Sequence, residues 1–183
     1  RRPSIAGNWK MNLDRRKALE LVSALRDRLT GFDGADVAVC PPSVYLDEIA
    51  RALSGSNIRV GAQDVCDRES GAFTGEISAA MLRDVGATLV VVGHSERRHV
   101  YGETDELVNR KVLHALATGL DVILCVGERL EEREGGQTEA AGKIRAKALD
   151  VFDKGIEKAG PDAEIYYLRG LALEWAKKRD EAK

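Results

Sequence analysis

Gly93-His94-Ser95-Glu96-Arg97-Arg98 places an imidazole, a hydroxyl, a carboxylate and two guanidinium groups directly after the apolar run Leu89-Val90-Val91-Val92. If that run is a strand and a helical turn follows it, His94 stands at the strand's carboxyl end, close to the helix start. The amide groups there favour a neutral imidazole, which can donate a hydrogen bond to a substrate oxygen without carrying charge. A structural turn histidine is the plainer reading of the same residue. Lys10, in Trp9-Lys10-Met11-Asn12, follows the apolar run Ser4-Ile5-Ala6 and brings an ammonium group to the end of another strand. Alone it also reads as a solvated charge. Glu96 can bond Lys10 across a shared rim or pair locally with Arg97 or Arg98, and spacing leaves both open.

The elements that would bring these groups together are legible as alternation. Short β-branched runs recur at Ser4-Ile5-Ala6, Val37-Ala38-Val39-Cys40, Ile58-Arg59-Val60, Leu89 to Val92 and Val122 to Val126. Continuous apolar runs of this length predict strands buried on both faces. Between them, Ala18, Leu21, Val22, Leu25 and Leu29 share one predicted helix face, and Val108, Val112 and Ala115 share another. Five alternations of strand and helix predict a parallel α/β sheet of right-handed units, either a doubly wound open sheet or a (βα)8 barrel. No GxGxxG loop follows the first strand, which shifts weight to the barrel. In a barrel, the carboxyl ends of the strands are the functional face, so Lys10 and His94 share one mouth.

The 183 residues suffice for one good core. With 30 acidic and 28 basic residues and a net charge of -2, bulk positive charge for nucleic acid or a membrane surface is lacking. Cys40, Cys66 and Cys125 show neither zinc-site nor redox-pair spacing and are expected to be reduced thiols in a cytoplasmic protein, with Cys125 buried. No run approaches the roughly 20 apolar residues of a membrane helix, and Arg1-Arg2-Pro3 opens no signal sequence. A soluble protein without metal or cofactor is expected.

Four motifs, Gly7-Asn8-Trp9-Lys10-Met11-Asn12, Gly71-Ala72-Phe73-Thr74-Gly75-Glu76-Ile77-Ser78, Gly93 to Glu103, and Cys125-Val126-Gly127-Glu128, occur in one order. Together they resemble the triosephosphate isomerase family over about Ser4 to Thr138. The resemblance implies the first five units of an incomplete (βα)8 TIM barrel. It also implies interconversion of dihydroxyacetone phosphate and glyceraldehyde 3-phosphate, a step of glycolysis and gluconeogenesis. By that resemblance Asn8 and Lys10 bind the triose phosphate, His94 polarises its carbonyl, Glu96 acts with them, and Ser95 and Cys125 support the site. A neutral histidine electrophile beside a helix start is the established arrangement of that family, so this role comes from the resemblance. The segment from about Asp64 to Glu76 resembles the family's protruding loop, which implies a homodimer.

The family's glutamate base, in an Ala-Tyr-Glu-Pro-Val-Trp context, has no counterpart in this sequence, and neither have its phosphate-gripping loops. Little turnover is therefore expected from this chain alone. Glu164 and Glu174 are carboxylates in the tail and are not assigned as replacements. Five strands would leave apolar edges near Ile5 and Ile123, which predicts a homo-oligomer or completion by a second chain. From about residue 139 the sequence reads as two helices split by Gly160-Pro161-Asp162. Ala148 and Ala182 are separated by the 34-residue period of tetratricopeptide repeats, and Lys147 to Ala159 and Ala163 to Ala182 resemble two helices of such a hairpin. The chain thus reads as a barrel portion, 1–138, and a helical tail, 139–183, joined as a chimera within a helix. Alternative functions are a non-catalytic scaffold or protein-interaction module and, more weakly, an anion-binding module using Lys10.

Overall fold

The computed structural model describes residues 3–126 and the backbone of a strand at Ile165–Arg169. The elements run β1 (Ser4–Asn8), α1 (Arg15–Arg28), β2 (Asp36–Cys40), a 3-10 turn (Ser43–Tyr45), α2 (Leu46–Ala52) and β3 (Ile58–Ala62). They continue as α3 (Ala79–Asp84), β4 (Leu89–Val92), α4 (Ser95–His99), α5 (Asp105–Ala117), β5 (Asp121–Val126) and β6 (Ile165–Arg169). The sheet order is β1-β2-β3-β4-β5-β6 with every neighbour parallel. The first five strands and their helices form a curled half-barrel, an incomplete (βα)8 barrel.

Two apolar layers hold the strands. Outward side chains such as Val39, Val60, Val90, Val92, Val122 and Leu124 pack against the inner faces of the helices. Inward ones, Ala38, Cys40, Leu89, Val91 and Ile123, form a second, smaller cluster. This two-sided burial explains why β4 is an unbroken apolar run with all four residues buried. Gly61 belongs to the inner layer, where a β-carbon would stand 2.3 Å from Leu89 Cδ1 and 2.8 Å from Cys40 Sγ. The missing side chain makes room for its two neighbours.

Helices α1, α3 and α5 start on side-chain caps from Asp14, Ser78 and Thr104, which accept from the amides of Lys17, Met81 and Leu107. On α1, Ala18 and Val22 are buried as expected, but Leu21 is 38% exposed and falls outside the apolar stripe. At the amino ends of the strands, Arg59 donates from Nε to Thr88 Oγ1 at 3.1 Å and pairs with Asp121, clasping β3, the start of β4 and β5.

One expectation about the edges stands, and two expectations change. β1 is an edge strand among the described residues, and Ile5 is 59% exposed, because only β2 covers one side of it. The edge near Ile123 is occupied, since β6 pairs with β5 in the register Val122↔Ile165 to Val126↔Arg169. The helix expected over Ala163 to Ala182 is therefore a strand at Ile165–Arg169, so the tetratricopeptide-like reading finds no support there. The predicted helix before Gly160, the join within a helix, and the residues after Arg169 lie outside the described residues.

Candidate active site

The turn after β1 begins with Asn8, whose side-chain oxygen accepts from the Lys10 amide at 2.9 Å. Asn12 closes the same turn by donating to the Trp9 carbonyl at 2.7 Å. These bonds hold Lys10 at φ +53°, a left-handed conformation that costs a non-glycine residue about 1–2 kcal/mol. Gln63, just past β3, donates to the carbonyls of both Lys10 and Cys40 at 2.9 Å. One amide group thus ties the Lys10 turn to the carboxyl ends of β2 and β3.

β4 leads through Gly93, at φ +69°, straight into α4. A β-carbon on Gly93 would meet Arg98 at 2.9 Å and Val108 at 3.0 Å, so glycine is required by conformation and by space. His94 is the N-cap of α4, and its Nδ1 accepts from the Glu96 amide at 3.2 Å. With Nδ1 used as an acceptor, the proton of the neutral ring is on Nε2. Burial is the main influence on His94 and disfavours its charged form. The Glu96 carboxylate opposes this and the Lys10 ammonium reinforces it, leaving the imidazole below its ordinary pKa of 6.5. The ring is neutral at pH 7.

Lys10 and Glu96 meet at 2.7 Å between Nζ and Oε1, while Glu96 Oε2 lies 3.6 Å from His94 Nδ1. The pair is half exposed at the mouth. The alternative pairing of Glu96 with Arg97 or Arg98 is not seen. Arg98 instead binds the Gly93 carbonyl at 2.7 Å and Asp105 at 2.6 Å. Arg97 reaches Glu103 at 2.6 Å and Asp64 at 2.9 Å, with its guanidinium 5.4 Å from the Tyr101 ring centre. Asn8, Lys10, His94 and Glu96 therefore converge on the carboxyl side of the sheet.

Ser95 is the exposed first residue of α4. Cys125 is only partly buried, a change from expectation, and packs against the inner apolar cluster. Burial raises its thiol to about 11 despite the opposing charge of Arg98. Cys40 is buried more deeply and pushed up to about 12, mainly by desolvation. Neither thiol supplies a ready thiolate. Among the described residues, no group of three or more His, Cys, Asp or Glu side chains is arranged to hold a metal ion. Nor is any helix among them long and apolar enough to cross a membrane.

Sequence reasoning did not single out the groups behind α4. Lys111 on α5 is only 3% exposed and donates to both oxygens of Asp64 at 2.8 Å and to Glu103 Oε1. Burial raises Asp64 above the ordinary carboxylate value, although Lys111 and Arg97 act against it. Burial also opposes ionisation of Glu103, but its bonds to Lys111 and Arg97 prevail and hold it low. Two neighbouring carboxylates sharing two cations separate in this way. The available signal was Lys111 itself, a charge on the same apolar helix face as Val108, Val112 and Ala115.

A curled parallel βα sheet that gathers a lysine, a histidine N-cap and a carboxylate at its strand ends defines an incomplete (βα)8 barrel of the TIM class. The sequence pattern described as Triosephosphate isomerase matches residues 3–159, past the Thr138 to which the resemblance was expected to extend. Relatives of the same description include that of Carboxydothermus hydrogenoformans, 52% identical over 145 residues, which are 79% of this chain and 58% of the relative. Those of Endomicrobium trichonymphae and Thermoanaerobacter pseudethanolicus are 50% and 52% identical over 138 residues, 75% of this chain and 55% of each relative. The chain belongs to the triosephosphate isomerase family and spans rather more than half the length of these relatives.

Proposed function

We propose that this chain carries the electrophilic half of a triose phosphate isomerisation site and has little or no turnover alone. The observation that carries the reading is the convergence of Lys10, Glu96 and a partly buried His94 whose Nδ1 accepts from the Glu96 amide, an arrangement that favours a neutral ring with its proton on Nε2. In the reaction, a carbon-bound proton next to the carbonyl is removed and an enediol-like intermediate forms. His94 donates its Nε2 hydrogen to the carbonyl oxygen and exchanges protons between the two substrate oxygens, while Asn8 and Lys10 bind the substrate. Glu96 keeps Lys10 aligned, and Ser95 and Cys125 form the surroundings of His94. No metal or cofactor is needed for this chemistry. By family the step serves glycolysis and gluconeogenesis in the cytoplasm.

The base that removes the carbon-bound proton is the missing half. β6 ends in Leu168-Arg169, and no Ala-Tyr-Glu-Pro-Val-Trp segment occurs in the sequence. Glu164 and Glu174 lie outside the described residues and are not assigned to the task. A positioned base contributes roughly 10²- to 10⁴-fold in rate. A coupled isomerase assay on the purified chain tests the reading. Turnover comparable to that of the full-length relatives would sink it, and residual turnover should disappear in both His94→Ala and Lys10→Ala.

The boundary between a barrel portion, 1–138, and a separate tail, 139–183, belongs to the same reading. So does self-association. Met11, Val44, Phe73 and Tyr101 are exposed in the loops after β1, β2, β3 and β4, supporting a homodimer through the site face. The loop containing Phe73 is closed at its base by the Cys66 amide on the Ile77 carbonyl at 2.9 Å, while residues 68–76 are exposed. A second reading, a scaffold completed by another chain, is favoured by the edge of β1, which no other described strand covers.

A further inference from the structure

α4 has five residues, far too few for its orientation to be self-sustaining, yet it carries the N-cap His94 and the Glu96 amide that fixes the ring. Something outside the helix must hold it. Arg98 secures its first turn to the Gly93 carbonyl and Asp105, Glu96 reaches Lys10, and Arg97 ties the helix to the loop after β3 and to Glu103. Both acceptors of Arg97, Asp64 after β3 and Glu103 before α5, also receive the ammonium of Lys111. Lys111 is thus the buried cation common to both acceptors of Arg97.

We propose that Lys111 is a positioning residue for His94, acting through Asp64 and Glu103 on Arg97 and hence on the orientation of α4. Without the ammonium, two carboxylates face one another with only Arg97 between them. One of them must take up a proton or withdraw. Glu103 has little latitude, because Oε1 already accepts from both Arg97 and Lys111 while Oε2 is buried with no partner among the described residues. Rearrangement there releases Arg97, α4 loses its tie to the β3 loop, and the bond from the Glu96 amide to His94 Nδ1 is no longer enforced. The outer pair of Arg110 and Asp67, at 2.7 Å, remains on the surface of the same helix and cannot replace a cation inside.

The inference rests on the role given to His94 above, and its test does not require turnover. The full chain labelled with ¹⁵N at histidine is titrated by NMR, and its three histidines, His94, His99 and His114, are assigned. In the unsubstituted protein, His94 should show an unprotonated Nδ1, a protonated Nε2 and a midpoint below the ordinary value. Lys111→Met should abolish that asymmetry and move the midpoint upward, while Lys111→Arg retains most of it. If Lys111→Met does not fold, Glu103→Gln, which keeps the side-chain volume and removes the charge, should show the same loss. An unchanged His94 in a folded Lys111→Met or Glu103→Gln protein overturns the proposal. So does a change confined to His114, three residues along α5, which would report only a local effect of the lost charge. An inactive chain with the expected spectra leaves the positioning role standing and removes only the isomerase reading.

Discussion

Leu13 has φ +71°, a conformation that suits glycine and that no described side-chain bond of its own secures. Replacing it by glycine should relieve about 1–2 kcal/mol of strain, less the entropy glycine adds to the unfolded chain, for a net gain of up to about 1 kcal/mol. Thermal unfolding measures this, and a lower midpoint for Leu13→Gly would contradict it. His94 gives a pH-dependent term of definite sign. Its folded pKa lies below 6.5, so the folded protein binds fewer protons than the unfolded chain, and stability should decline as pH falls through and below that value. Denaturant titrations across that interval should show the decline, reduced in His94→Gln. At this scale the placement of Asn8, Lys10, His94 and Glu96 near strand ends was legible, because spacing from a strand end is a one-dimensional property. Asp64 and Glu103 were invisible as partners because nothing in their local sequence shows that separate segments fold onto Lys111, and Gln63 was missed in the same way, its partners being the distant carbonyls of Lys10 and Cys40.

Elements were legible where burial and period agreed. β4 is apolar throughout because both of its faces are covered, and α5 shows its core face at Val108, Val112 and Ala115. Thr104, the cap of α5, should cost about 1 kcal/mol when replaced by alanine, since the Leu107 amide loses its acceptor at 3.3 Å. Gly61→Ala should cost roughly 1–3 kcal/mol, because the new methyl group collides with Leu89 and Cys40 inside the inner layer. Chemical denaturation of both variants checks the order, with Gly61→Ala expected to be the more damaging. β6 was missed because Tyr166, Tyr167 and Leu168 fit a helical repeat as well as a strand, and a five-residue apolar run carries too little period to decide. Pairing with β5 decided it, and that partner lies some forty residues earlier in the chain.

At the scale of the molecule, β1 exposes Ile5 along an uncovered edge, whereas Phe73 is exposed on the site face. These two surfaces give different routes to self-association and can be separated. Light scattering should find species heavier than the 19.9 kDa chain. Ile5→Lys should dissociate an edge-to-edge assembly and leave one through the loops intact, while Phe73→Asp should do the reverse. A monodisperse protein of single-chain mass before any substitution would remove both. The overall architecture was legible as five alternating units with an open edge at Ile5, but the occupied edge of β5 was not, because an edge is defined by what does or does not come to lie beside it. The strand order gives a last consequence: among the described residues, β1 to β5 hydrogen-bond to one another only in chain order, each to its predecessor and successor. Contacts of short sequence separation close small loops, so the sheet can lengthen progressively as the polypeptide leaves the ribosome, each unit settling on a surface already made. Arrested nascent chains of increasing length should then gain protease resistance in steps of one βα unit, beginning at the amino terminus.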